Sequence, residues 1–85
     1  MNYLHYKMKA ETQHYIKVEL NARATIKLLD TLNYFKYQSG KPYEATSEYQ
    51  NMITIDMKVP FKSTWHVVIE HGDYRGILKA NVKVV

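Results

Sequence analysis

Three stretches of this chain alternate apolar and polar residues with a period of two, and that spacing constrains the fold more than anything else in the sequence. In Tyr15–Leu20, Ile16, Val18 and Leu20 alternate with Lys17 and Glu19. In Met52–Val59, Ile53, Ile55, Met57 and Val59 alternate with Thr54, Asp56 and Lys58. In Leu78–Val84, Leu78, Ala80, Val82 and Val84 alternate with Lys79, Asn81 and Lys83. Successive side chains of a strand point to opposite faces, so each stretch carries one apolar and one polar face. Antiparallel sheets with one face on a core and the other in water have this pattern.

Weaker strands complete the set. Tyr3–Lys9 alternates with aromatics on both faces, Ala24–Leu29 buries Ala24, Ile26 and Leu28 with Leu29 left over, and Thr64–Ile69 reads as buried on both faces. A short strand near Tyr43–Ser47 is a further candidate. The breaks carry turn chemistry: Asn21-Ala22, Ser39-Gly40-Lys41-Pro42, Pro60–Ser63 and Gly72–Gly76. Residues Ser47–Asn51 read as a polar loop. Asp30–Gly40 fits either one helical turn capped by Asp30 or Thr31, or an irregular excursion. Its Tyr, Phe, Asn and Thr content favours the excursion. Seven to eight short strands with one long connection predict an all-β fold, a small antiparallel β-sandwich of jelly-roll or Greek-key type, formed by residues 1–85 as one domain.

Composition removes several function classes. Without cysteine there is no disulfide and no thiolate site, which favours a reducing, cytoplasmic setting. The opening MNYLHYKMK lacks the apolar centre of a signal peptide, and the apolar runs are too short to span a membrane. Net charge is +4, from lysines set singly along the chain (Lys7, Lys9, Lys17, Lys27, Lys58, Lys79 and Lys83), which read as the solvated faces of strands. Ser39, Ser47 and Ser63 stand in turns, outside any nucleophile elbow. His5, His14, His66 and His71 lack short ligand spacing, although His66 and His71 flank one turn. Glu19, Glu44, Glu48, Asp56 and Glu70 read as outward strand or loop positions. The expectation is no catalytic residue, no metal and no cofactor.

The order of certain residues is familiar. Leu4-His5-Tyr6 and Ala24–Asp30 come first, then Asn33-Tyr34, Tyr37 and Val59-Pro60. Trp65-His66-Val67-Val68-Ile69 and Gly72-Asp73-Tyr74-Arg75-Gly76 follow, ahead of a valine-rich terminal strand. Together they resemble a small bacterial domain of unknown function, family 1883. The resemblance implies an all-β sandwich and relatives in which the domain is joined to a TIR domain. It implies no catalytic residues. The chain departs from the pattern at Ser63 or Thr64, where a glycine is usual before the tryptophan, and at Ser47-Glu48-Tyr49, where a glycine pair is common.

Eight tyrosines are more than a core of this size needs. Tyr34, Phe35, Tyr37 and Tyr43 cluster with Lys36 and Lys41 around the excursion, and the same aromatics could instead fold back to plug the core. Tyrosine offers a flat apolar face and a polar tip, suited to a sugar ring, a nucleobase or a protein partner. The expected ligand-binding residues are Asp30, Asn33, Tyr34, Tyr37, Tyr74 and Arg75. They suggest a non-enzymatic recognition module for a small anionic ligand or a protein partner. A nucleic-acid-binding barrel and a homo-oligomer paired through the Leu78–Val85 edge are the alternatives.

Overall fold

The computed structural model describes residues 3–72 and 75–85. They form, in order, β1 (Tyr3–Ala10), β2 (Tyr15–Asp30), α1 (Thr31–Gln38), β3 (Ser47–Lys58), β4 (Ser63–Glu70) and β5 (Ala80–Val84). Every strand pairing is antiparallel. The strands described are five rather than seven or eight, and they belong to one hydrogen-bonded sheet in the order β1-β4-β2-β3, with β5 also on β2.

The sixteen-residue β2 organises the whole. One of its edges pairs with β3 from Tyr15 to Leu28. Its other edge is shared, with Ile16–Leu20 on β5 and Thr25–Asp30 on β4. The turn expected at Asn21-Ala22 is instead a bulge inside this single strand. From Glu19 to Ala24, β2 takes five residues to pass what β3 passes in two. Extra residues of this kind bend a strand and increase its twist. The bulge keeps Leu20 and Ala24 on the same face, which is why two separate strands and one bulged strand give the same apolar pattern. Asn21 holds the bend: its Nδ2 donates to the Ile77 carbonyl at 2.9 Å and its Oδ1 accepts from the Lys79 N–H at 2.8 Å.

The expected loop at Ser47–Asn51 is the start of β3, and the region near Tyr43, a further strand candidate in the sequence, is irregular. A second irregularity follows at Asn51, whose φ of 59° lies in the left-handed region. It moves Met52 onto the core and leaves Ile53 exposed, reversing the alternation expected there. Arg23 Nη1 donates to the Asn51 carbonyl at 2.9 Å. Because Asn51 is exposed and left-handed backbone strains any branched side chain by about 1–2 kcal/mol, Asn51→Val should lower stability by about that amount. Asn51→Gly should be nearly neutral, and urea denaturation of the two variants checks the difference.

All five strands send alternate residues into one core, with Ile16, Ile26, Leu28, Met57, Trp65 and Ile69 fully buried. The apolar positions of β5, Ala80, Val82 and Val84, pack against it. Trp65 lies in this core, as its apolar strand suggests, with Nε1 donating to the Phe61 carbonyl at 3.1 Å.

The excursion is a helix. Asp30 is its N-cap, accepting from the Asn33 N–H at 2.8 Å. At the far end the Lys41 N–H bonds the Lys36 carbonyl at 2.9 Å and the Gly40 N–H bonds the Tyr37 carbonyl at 3.2 Å. This doubly bonded closure places Gly40 at φ 73°, where a residue without Cβ is favoured. Intrinsic propensity argues against a helix here, but two good caps and a sheet face to pack on outweigh it. No helix among the described residues is long and apolar enough to cross a membrane.

Candidate functional site

Helix α1 covers the outer face of β1, β4 and the second half of β2, the face turned away from the main core. Strand register sets that face as rows across the three strands: Lys7–His66–Leu29, His5–Val68–Lys27 and Tyr3–Glu70–Thr25. Leu29, Val68 and Tyr34 form a small second core there, with Tyr3, Tyr37, Tyr43 and Ala45 against it. Two polar clusters are built around it.

The first cluster centres on Lys27. Read from the sequence as a solvated lysine, it is 8% exposed. A strand residue facing water would be far more open; here α1 and the segment that follows it close over the face. Lys27 Nζ lies 3.1 and 3.2 Å from the two carboxylate oxygens of Glu70, 2.6 Å from the Tyr43 hydroxyl, and 3.9 Å from Glu48. The Tyr37 hydroxyl donates to Glu70 at 2.5 Å. The ammonium also stands over the Tyr37 and Tyr43 rings, 5.5 and 5.3 Å from their centroids. Burial alone would lower the pKa of Lys27, but the hydrogen bonds to Tyr43 and Glu70 and the Glu70 charge outweigh it and leave it raised. Burial, then the bond to Glu70, pushes the Tyr37 hydroxyl far above the ordinary tyrosine value.

An open cleft of about 450 Å³ leads onto this ion pair, lined by Tyr3, Lys27, Tyr37, Gln38, Gly40, Lys41, Tyr43 and Glu70. Tyr37 meets Tyr3 and Tyr43 edge to face, both at 5.1 Å. A hollow of similar size lies where Ala10 pairs with Ser63, lined also by Lys9, Glu11, His14, Lys62 and Thr64. That hollow has no tyrosine and no buried ion pair, so its chemistry is less specific.

The second cluster is a pair of histidines. His66, only 3% exposed, places Nδ1 at 2.8 Å from His5 Nε2 and Nε2 at 3.0 Å from Thr31 Oγ1. The Tyr34 ring lies flat against both imidazoles, at 4.0 Å from His5 and 4.6 Å from His66. His66 therefore meets His5 across the sheet rather than its sequence neighbour His71. No three His, Asp or Glu side chains among the described residues come together as a metal site would need.

The sequence-derived residues fall into different roles. Asp30 and Asn33 bond each other, and Asn33 Oδ1 also accepts from the Glu44 N–H at 2.8 Å, so they cap α1 and tie down the chain after it. Tyr34 is the buried plate over the histidines, its pKa pushed up to about 12 by burial and by the bond to Tyr3. Tyr37 lines the cleft. Arg75 is exposed, and Tyr74 lies outside the described residues. Phe35, grouped with the tyrosines in the sequence, points to solvent at 56% exposure. Tyr3, His5, Lys27, His66 and Glu70 were not legible as a group, since they come from three strands. The available signal was the left-over Leu29 and the doubly apolar Thr64–Ile69, which require a cover on the second face.

A family model described as a domain of unknown function, DUF1883, matches residues 1–85. No curated protein and no solved structure matches the chain.

Proposed function

The chain belongs to the DUF1883 family, which assigns no activity to its members, and we propose from the geometry that it is a non-enzymatic recognition module binding a small anionic ligand with a flat ring. The observation that carries this reading is the open cleft whose walls are Tyr3, Tyr37 and Tyr43 and whose floor is the Lys27–Glu70 pair. Its volume is in the range of small-molecule sites, and apolar walls with a few fixed polar groups are what such sites use. Tyrosine faces stack on a ring while the hydroxyls and Gln38 offer hydrogen bonds. Glu70 neutralises Lys27, so the exposed Lys41 at the rim supplies the net positive charge. Nucleic acid is less well served: the lysines are spread over the sheet, Lys17 stands opposite Asp56, and Lys27 is committed to Glu70.

The test is a thermal-shift and NMR titration against nucleotides and against neutral and phosphorylated sugars. A ligand at a hundredfold excess over its Kd should stabilise the protein by about 2.7 kcal/mol and shift the amides of Tyr3, Tyr37, Lys41 and Tyr43. Lys41→Ala, a change at an exposed position, should weaken an anionic ligand while leaving the fold intact. A panel that moves neither the melting temperature nor those amides would overturn the reading.

A further inference from the structure

We infer that His5 and His66 form a proton-operated latch that holds α1 on the sheet, so that acid releases the helix and takes apart one wall of the cleft. The consequence for ligand rests on the reading above; the latch itself does not.

The latch follows from hydrogen counting. A 2.8 Å contact between His66 Nδ1 and His5 Nε2 needs one nitrogen to carry a hydrogen and the other to present a lone pair. His66 Nε2 is engaged with Thr31 of α1, so the bonded chain runs from helix to sheet as Thr31–His66–His5. A first proton can sit on His5 at Nδ1, the nitrogen outside the pair, without breaking this chain. The Tyr34 face can accommodate that charge. A second proton, on His66, puts N–H against N–H across the same gap. Both nitrogens then repel, and a His66 ring displaced by that repulsion draws on Thr31, to which it is bonded, and on Tyr34, against which it is stacked.

The surrounding groups set the direction. Lys7 of β1 stands opposite His66 in the register, and Lys27 of β2 is on the same face with its charge matched by Glu70. Asp30 at the end of β2 is the nearby acid, while α1 contributes the uncharged Thr31 and Tyr34 and β1 adds Tyr3. Burial, then Lys7, lowers the pKa of His5; burial, then His5 and Lys7, lowers that of His66 against a weaker upward pull from Asp30. Unfolded histidines take up protons near pH 6.5 and the folded pair takes them up lower. The contribution of the neutral pair is therefore complete above about pH 6.5 and lost as pH falls below it. Gln38 and Tyr37, carried by α1, line the cleft and would leave with the helix.

Amide hydrogen exchange, corrected for its intrinsic pH dependence, tests the latch without any ligand. Between about pH 7.5 and about pH 5, protection of Thr31–Gln38 should fall about tenfold or more, against little change in β4. In His5→Gln, which keeps a donor for His66 but removes the second titrating ring, the fall should vanish; His5→Phe gives an independent non-titrating variant at the same exposed position. Ring NMR should show the pair titrating in two steps below pH 6.5. Helix protection that follows β4 throughout, or variants that lose it at the wild-type pH, would overturn the latch. Failure of the ligand screen would leave these readings untouched.

Discussion

Glu70→Ala should destabilise the domain by about 3–5 kcal/mol, the range for removing one partner of a buried ion pair. The change leaves the Lys27 ammonium nearly buried with the Tyr43 hydroxyl and a carboxylate 3.9 Å away at Glu48. It also removes the acceptor of the Tyr37 hydroxyl. For a chain of 85 residues the whole folding free energy is about 4–13 kcal/mol, so this one side chain can decide whether the protein folds at all. The pair as a unit should matter far less. Lys27→Met combined with Glu70→Leu removes both charges and fills the space, and should recover most of the loss, short of the two lost hydrogen bonds, Tyr37 to Glu70 and Lys27 to Tyr43, at about 1 kcal/mol each. Urea denaturation of the single and double variants gives the comparison. A single variant costing under about 1 kcal/mol would class the pair with exposed surface bridges.

What makes this sensitivity interesting is that a solvated lysine and an outward glutamate, as the sequence reads, would carry no such cost. The strand pattern places both correctly on the face opposite the main core. It is silent on whether that face is covered. The answer lies in the neighbours: Leu29 beside Lys27 and Val68 between His66 and Glu70 are apolar on the same face. Two apolar residues stranded among polar ones indicate a cover, and Asp30-x-x-Asn33 with Gly40 and Pro42 marks where its helix starts and stops. Propensity weighed against these caps gives the wrong answer because an eight-residue helix takes its stability from packing rather than from its own residues.

The limits elsewhere have different causes. The bulge at Asn21 is invisible to periodicity because it preserves the inward parity of Leu20 and Ala24, so one bent strand reads as two. At Asn51 the parity shifts, and a strict alternation through Ile53 and Ile55 assigns Ile53 to the core when it is exposed. The candidate site is harder still. Tyr37 could be picked out because it sits in an aromatic cluster along the chain. Tyr3, Lys27 and Glu70 join it only through strand pairings that bring residues together from across the sequence.

Tyr34→Ala should separate the helix from the sheet. Tyr34 is buried against both histidines, so truncation removes a large packed ring, a change that typically costs about 3–5 kcal/mol. Nearly all of that packing joins α1 to the outer face; the main core around Trp65 and Ile26 lies on the other side and loses nothing directly. A two-turn helix without its anchor is not stable in water. The expected result is therefore loss of exchange protection over Thr31–Gln38, with β2 and β4 still protected and with Leu29 and Val68 exposed enough to bind an apolar dye. Tyr34→Phe keeps the ring and loses only a 3.3 Å contact to the Tyr3 hydroxyl, so it should cost at most about 1 kcal/mol and keep the helix in place. If Tyr34→Ala instead brought down helix and sheet in one step, α1 would be a cooperative part of the fold rather than a cover. The helix could then not move alone, and the acid release inferred for it would have to unfold the whole domain.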